Sequence, residues 1–221
     1  MHKKESPMSA VSEGQSAVDK ENGSLPQSEE KLCELPSSAT PEERIQHKLA
    51  KAVDFKQKGN DHFKQQQLKK AIRNYHSGLM YMKAVDQDMN PNKHFGQSRA
   101  APKLPQETKD AVMTITADLH NNLAACLLKQ EPVRYERVVE CCKQVTEFQP
   151  KNVKGWYRLG LAQFHLRDYD AAKEALKEAN AISEGKDTAV RKLMLQVDQE
   201  LRKENKKFSD MFKNSLLVKQ S

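Results

Sequence analysis

Between Asn152 and Ile182 the apolar residues fall on a helical period. Trp156, Leu159, Gly160 and Phe164 form one run, and Tyr169, Ala172, Leu176 and Ala179 a second, with charged residues filling the positions between. The runs break at Arg167-Asp168, which predicts a helical hairpin rather than one long helix. Gly160 and Ala172 fall where two antiparallel helices must approach closely, and Trp156, Tyr169 and Leu176 fill the space above and below that contact. One hairpin cannot bury its own apolar face, and related patterns do recur. With Gly160 as the eighth position, the unit starts at Val153. Phe55, Gly59, Phe63, Leu68, Ala71 and Tyr75 follow the same template from a start at Ala52. A looser copy starts at Ala117 and runs through Ala124, Leu127, Tyr135 and Val138 to Pro150.

The W-x-x-L-G pattern at Trp156–Gly160, followed by a downstream alanine, resembles the tetratricopeptide repeat, whose period is about 34 residues and which stacks stably from about three copies. The starts at 117 and 153 differ by 36, one period with two extra residues that Glu131-Pro132 can hold; those at 52 and 117 differ by 65, one period plus an insert. The predicted fold is therefore all-α: a solenoid of three hairpins near 52–85, 117–150 and 153–186, with a capping helix over 187–212, in one domain spanning 41–212. Thr40-Pro41-Glu42-Glu43 predicts a capped start for a helix running to about Lys64. Further helices are predicted over Leu68–Ala84, Glu107–Lys129 and Tyr135–Phe148, the last stopped by Gln149-Pro150, while Gly185 closes the third hairpin. Asp86–Gln106 carries Pro, Gly and Asn without a period and reads as a loop insert. The first forty residues, rich in Ser, Glu, Lys and Gln, read as disordered, and 213–221 as a tail.

Charge narrows the partner. The chain carries +7; four lysines against seven acids leave the head at −3, so the remainder holds about +10. Such a surplus suits an acidic peptide, a nucleic acid or an anionic membrane. Nucleic acid is disfavoured by the lack of an aromatic-interleaved basic stripe, and Lys203, Lys206 and Lys207 read as the solvated face of the capping helix. No apolar segment follows Met1-His2-Lys3-Lys4 and no run approaches a membrane span, so a cytosolic protein is expected. The four cysteines show no metal spacing, and Cys126, Cys141 and Cys142 read as reduced thiols buried on repeat helices. His62, His120 and His165 form no catalytic or metal group, and neither a nucleophile–base set nor a phosphate loop is present. A monomeric, non-enzymatic protein without cofactor or metal is expected.

The groove of such a solenoid is lined by the first helix of each hairpin. Lys56 and Asn60 lie four apart on the first helix of repeat one, Lys154 and Arg158 four apart on that of repeat three, and Asn122 on the corresponding helix of repeat two. Three cations and two amides converging across three helices suit two carboxylates presented close together, as at the end of a peptide. Lys56 and Asn60 in FKQKGN, Asn122 in HNNLAAC, and Lys154 and Arg158 in KGWYR resemble the dicarboxylate clamp of chaperone-binding tetratricopeptide domains. The resemblance implies that these five hold the terminal carboxylate and neighbouring groups of the Glu-Glu-Val-Asp tail of the cytosolic seventy- and ninety-kilodalton heat-shock proteins; an apolar groove residue, Phe63, is expected to contact the residue ahead of the motif. The repeat region also resembles the immunophilin co-chaperones, without any β-rich isomerase domain. More closely, NNLAACLLKQEPVRYERV and YRLGLAQFHLRDYD resemble the tetratricopeptide repeat protein 9 family. Three alternatives stay open: Asn122 as a buried amide satisfying a neighbouring helix, Asn121 in place of Asn122 by a one-residue slip, and a scaffold that binds through its convex face or insert with the clamp incidental.

Overall fold

The computed structural model describes residues 39–90 and 102–218, with side chains through 213. The expected disordered head up to residue 38, the middle of the insert (91–101) and the last three residues lie outside the described residues. Among the described residues there are seven helices and no strand: α1 (Pro41–Lys64), α2 (Leu68–Met89), α3 (Gln106–Leu127), α4 (Tyr135–Phe148), α5 (Val153–His165), α6 (Tyr169–Ile182) and α7 (Thr188–Val218). The all-α solenoid expected from the periodicity is what forms.

Helix starts follow local chemistry. The Thr40 hydroxyl accepts from the Glu43 N–H while the Glu43 carboxylate accepts from the Thr40 N–H, and Pro41 needs no donor at the first position. Asn152 Oδ1 accepts from Gly155 N–H at 3.0 Å to open α5, and Asp168 Oδ1 from Ala171 N–H at 3.2 Å to open α6. The turns inside the first and third hairpins are alike. Gln66 and Arg167 both adopt positive φ (59° and 63°), and the next N–H reaches back five residues, from Gln67 to the His62 carbonyl and from Asp168 to that of Gln163. This is the Schellman closure, made here by non-glycine residues.

Each helix packs on the next in chain order, and α1 also packs on α3, α3 on α5 and α5 on α7. The second set of contacts makes the array a solenoid and puts α1, α3 and α5 side by side on one surface. Tyr75, Leu119, Leu123, Val138, Val145 and Leu176 are among the largest fully buried side chains, and Trp156 packs against both core clusters. A Cβ on Gly160 would sit 2.7 Å from Leu176 Cγ and 3.2 Å from the Ala172 carbonyl oxygen, so the α5–α6 crossing requires a hydrogen there. Gly160→Ala is expected to lower stability by about 1–2 kcal/mol through overpacking, read as a lower midpoint of chemical denaturation with unchanged helicity.

Two predicted boundaries are corrected. Asp86–Met89, assigned to the insert, are helical, because α2 runs on past Ala84 to Met89. α1 begins well ahead of its repeat start at Ala52, and its extra turns supply partners: Lys48 pairs with Asp88 at 2.6 Å, and Val85 is fully buried. α3 likewise starts ahead of Ala117, and the two overhangs meet where Gln46 Nε2 donates to Thr108 Oγ1 at 3.2 Å. The second correction lies in α7, which continues past residue 212 to Val218. No Gly or Pro follows Gly185 to stop it.

Candidate peptide-binding groove

The five predicted site residues lie on the three helices that share one surface: Lys56 and Asn60 on α1, Asn122 on α3, Lys154 and Arg158 on α5. Of the five side chains, only Asn60 and Asn122 bond one another; Lys56 and Arg158 bond other residues of α3, and Lys154 has no partner among the described residues. Asn122 Nδ2 donates to Asn60 Oδ1 at 2.9 Å, and the Tyr75 hydroxyl donates to the same oxygen at 2.9 Å. Burial raises the Tyr75 pKa well above the ordinary phenol value, which keeps its proton in place as a donor. With two donors on its oxygen, Asn60 is oriented so that its own N–H groups remain available; nothing among the described residues bonds them. The amide pair and Tyr75 line a cavity of about 220 Å³ together with Phe63, Lys64 and Ala125. Phe63 also borders a larger cavity of about 440 Å³ beside Leu68, Leu128 and Lys129, with the Lys129 ammonium 4.8 Å from its ring centroid.

The cations differ from one another. Lys56 is not free: its Nζ lies 2.8 Å from Asp118 Oδ2, across the α1–α3 contact. Lys154 is exposed and has no ion pair or hydrogen bond among the described residues. Arg158 is half-buried and, among the described residues, bonds only the side-chain and backbone oxygens of Asn121. No carboxylate among the described residues pairs with it. Burial lowers its pKa, although the neighbouring thiols of Cys142 and Cys126 act in the opposite sense, and a guanidinium stays protonated throughout. A half-buried cation held by neutral oxygens alone leaves its charge uncompensated, a costly arrangement that an anionic ligand would relieve.

Both Asn121 and Asn122 therefore take part, in different roles: Asn122 bridges to α1 and Asn121 anchors the arginine of α5. Sequence reasoning passed over Asp118 and Tyr75. Asp118 lies one helical turn before Asn122, a spacing that places it on the same face. Tyr75 was recognised as a packing residue. Its hydroxyl contact with Asn60 follows from its ring stacking where Gly59 leaves room, since a Cβ on Gly59 would lie 2.5 Å from Tyr75 Cε1.

Elsewhere, burial pushes the thiols of Cys126 and Cys141 up to about 11 and that of Cys142 up to about 12, so none is a thiolate nucleophile at neutral pH. The His165 ring stacks on Tyr135 with centroids 4.4 Å apart. Among the described residues no group of His, Cys, Asp and Glu could hold a metal ion, and no helix is long and apolar enough to cross a membrane.

No family model matches the chain. The tetratricopeptide repeat protein 9C of Xenopus tropicalis is 39% identical over 132 residues, which cover 59% of this chain and 73% of that protein. The chain belongs to the tetratricopeptide repeat protein 9 family. Among solved structures, the C-terminal TPR-containing domain of a Plasmodium falciparum FK506-binding protein superposes with a TM-score of 0.59 at 24% identity, covering 76% of this chain and 97% of that domain. The Hsp90 co-chaperone Cns1 from Saccharomyces cerevisiae gives a TM-score of 0.52 at 25% identity, covering 74% of this chain but 43% of Cns1. This member of the family is accordingly a helical-repeat module of the protein–protein interaction class.

Proposed function

We propose that this protein is a cytosolic, non-enzymatic adaptor that docks the acidic C-terminal tail of a heat-shock chaperone in the groove of α1, α3 and α5. The observation that carries this reading is Arg158: a half-buried guanidinium on the groove-lining helix, with no acidic partner among the described residues and the unpaired Lys154 one turn away. Two cations so placed suit a terminal carboxylate, and each charge-assisted hydrogen bond to it is worth about 1.5–3 kcal/mol. Asn60 presents its N–H groups beside them, already oriented by Tyr75 and Asn122, so little side-chain freedom is lost on binding. Phe63, which lines both cavities, offers an apolar ring to the residue ahead of the motif. The likeness to an Hsp90 co-chaperone supports the choice of partner.

Calorimetry with a peptide ending in Glu-Glu-Val-Asp tests the reading. The free-acid peptide is expected to bind at micromolar Kd, about −8 kcal/mol. C-terminal amidation is expected to weaken it at least about tenfold, and raising the salt should weaken it further. A folded protein that binds neither peptide would overturn the assignment and favour a scaffold that engages partners by another face.

A further inference from the structure

The clamp carries an acid of its own. Among the described residues, Asp118 is the one carboxylate bonded to any of the five groove residues, 2.8 Å from Lys56 Nζ. It sits one turn before Asn122 on α3, the helix whose Asn122 bonds Asn60. Both partners are mostly sheltered, with side-chain exposures of 24% for Lys56 and 36% for Asp118, so the pair is less screened than an ordinary surface contact. It also spans two helices of different repeats rather than neighbouring turns of one helix, so the folded array holds Asp118 in place against Lys56 without any ligand present.

We infer that Asp118 is an intramolecular competitor for Lys56 and holds down the groove's affinity for acidic tails. This rests on the clamp reading above. An arriving carboxylate has two routes to Lys56. It can displace Asp118, which then stays beside the groove as an unpaired anion, or it can share the lysine with Asp118 and be repelled by it. Both routes subtract from binding, whereas Lys154 and Arg158 carry no such occupant among the described residues. The three clamp cations are therefore unequal: the α5 pair captures the ligand, and Lys56 contributes only after an exchange of partners. Neutralising Asp118 removes the competitor while leaving a side chain of the same shape.

The test is calorimetry of the free-acid tail peptide against full-length wild type, Asp118→Asn, Lys56→Gln, the double variant, and Lys154→Ala, with thermal melts to confirm that each is folded. Asp118→Asn is expected to tighten binding by about five- to tenfold. In the Lys56→Gln background the same change should give less than about a twofold gain, because no cation is left to release. A gain that persists undiminished without Lys56 would overturn competition in favour of general repulsion. Wild type that binds the peptide and loses it with Lys154→Ala, while Asp118→Asn matches wild type within about twofold, would overturn the inference and leave the clamp standing. Folded variants that all fail to bind, Asp118→Asn included, would remove the clamp reading and this inference with it.

Discussion

Arg158→Ala is expected to weaken binding of an acidic tail peptide by about 10–150-fold, the equivalent of one lost charge-assisted interaction of about 1.5–3 kcal/mol. The guanidinium is unusual in having no acid to balance it among the described residues, only the two oxygens of Asn121. In the free protein its removal leaves no carboxylate unpaired, and the half-buried charge no longer has to be accommodated, so folding stability should change little. In the complex its removal deprives the ligand carboxylate of a planar, bidentate donor. The two readouts therefore separate: affinity falls steeply in calorimetry while the thermal midpoint holds. Arg158→Lys should recover only part of the affinity, since an ammonium restores charge but not the fork. An Arg158→Ala protein that is folded and binds as well as wild type would show that α5 does not hold the ligand.

Stability is expected to fall as the solution is acidified from neutrality, by up to about 3 kcal/mol between pH 6.5 and 4, through His120. Burial, with a smaller contribution from His76, lowers the His120 pKa from 6.5 to about 4, and its Nδ1 is buried without a partner among the described residues. The sign is set by which state takes the proton first. Above pH 6.5 the ring is neutral folded and unfolded, and it contributes no pH dependence. Below that value the unfolded chain binds the proton and the folded chain does not, so unfolding gains until the folded ring titrates as well near pH 4. His76, lowered by burial and by Arg137, acts in the same direction. The cavity around the two rings is also lined by Arg137, Glu140 and Lys143. Chemical denaturation at pH 7.5 and pH 5 should show a loss of about 2 kcal/mol for wild type. His120→Phe should flatten that difference, and it places an aromatic where the first and third repeats carry Phe55 and Trp156. An equal loss in wild type and variant would assign the acid sensitivity to other groups.

The helical hairpins were legible because small and large apolar residues recur at fixed offsets, and steric demand is local. Gly160 is read as a close approach from sequence, and in the fold its missing Cβ would meet Leu176. The ends of α2 and α7 were less legible, for different reasons. α2 is lengthened by a long-range partner, the Lys48–Asp88 pair, which no local pattern announces. α7 simply lacks a stop signal, with neither Gly nor Pro after Gly185, so the helix runs on past residue 212 to Val218.

The sequence by itself determined the helical-repeat architecture and placed Lys56 and Asn60 on α1, Asn122 on α3, and Lys154 and Arg158 on α5, because the apolar period along each helix sets which positions pack and which stay polar. Tertiary structure alone decided how those residues are engaged. Asn60 meets Asn122 and Tyr75, Arg158 meets Asn121, and Lys56 meets Asp118, each across a helix–helix contact whose register and separation emerge only when the hairpins stack. Spacing along one helix names the face on which a charge lies. Whether that charge is already neutralised depends on the helix beside it.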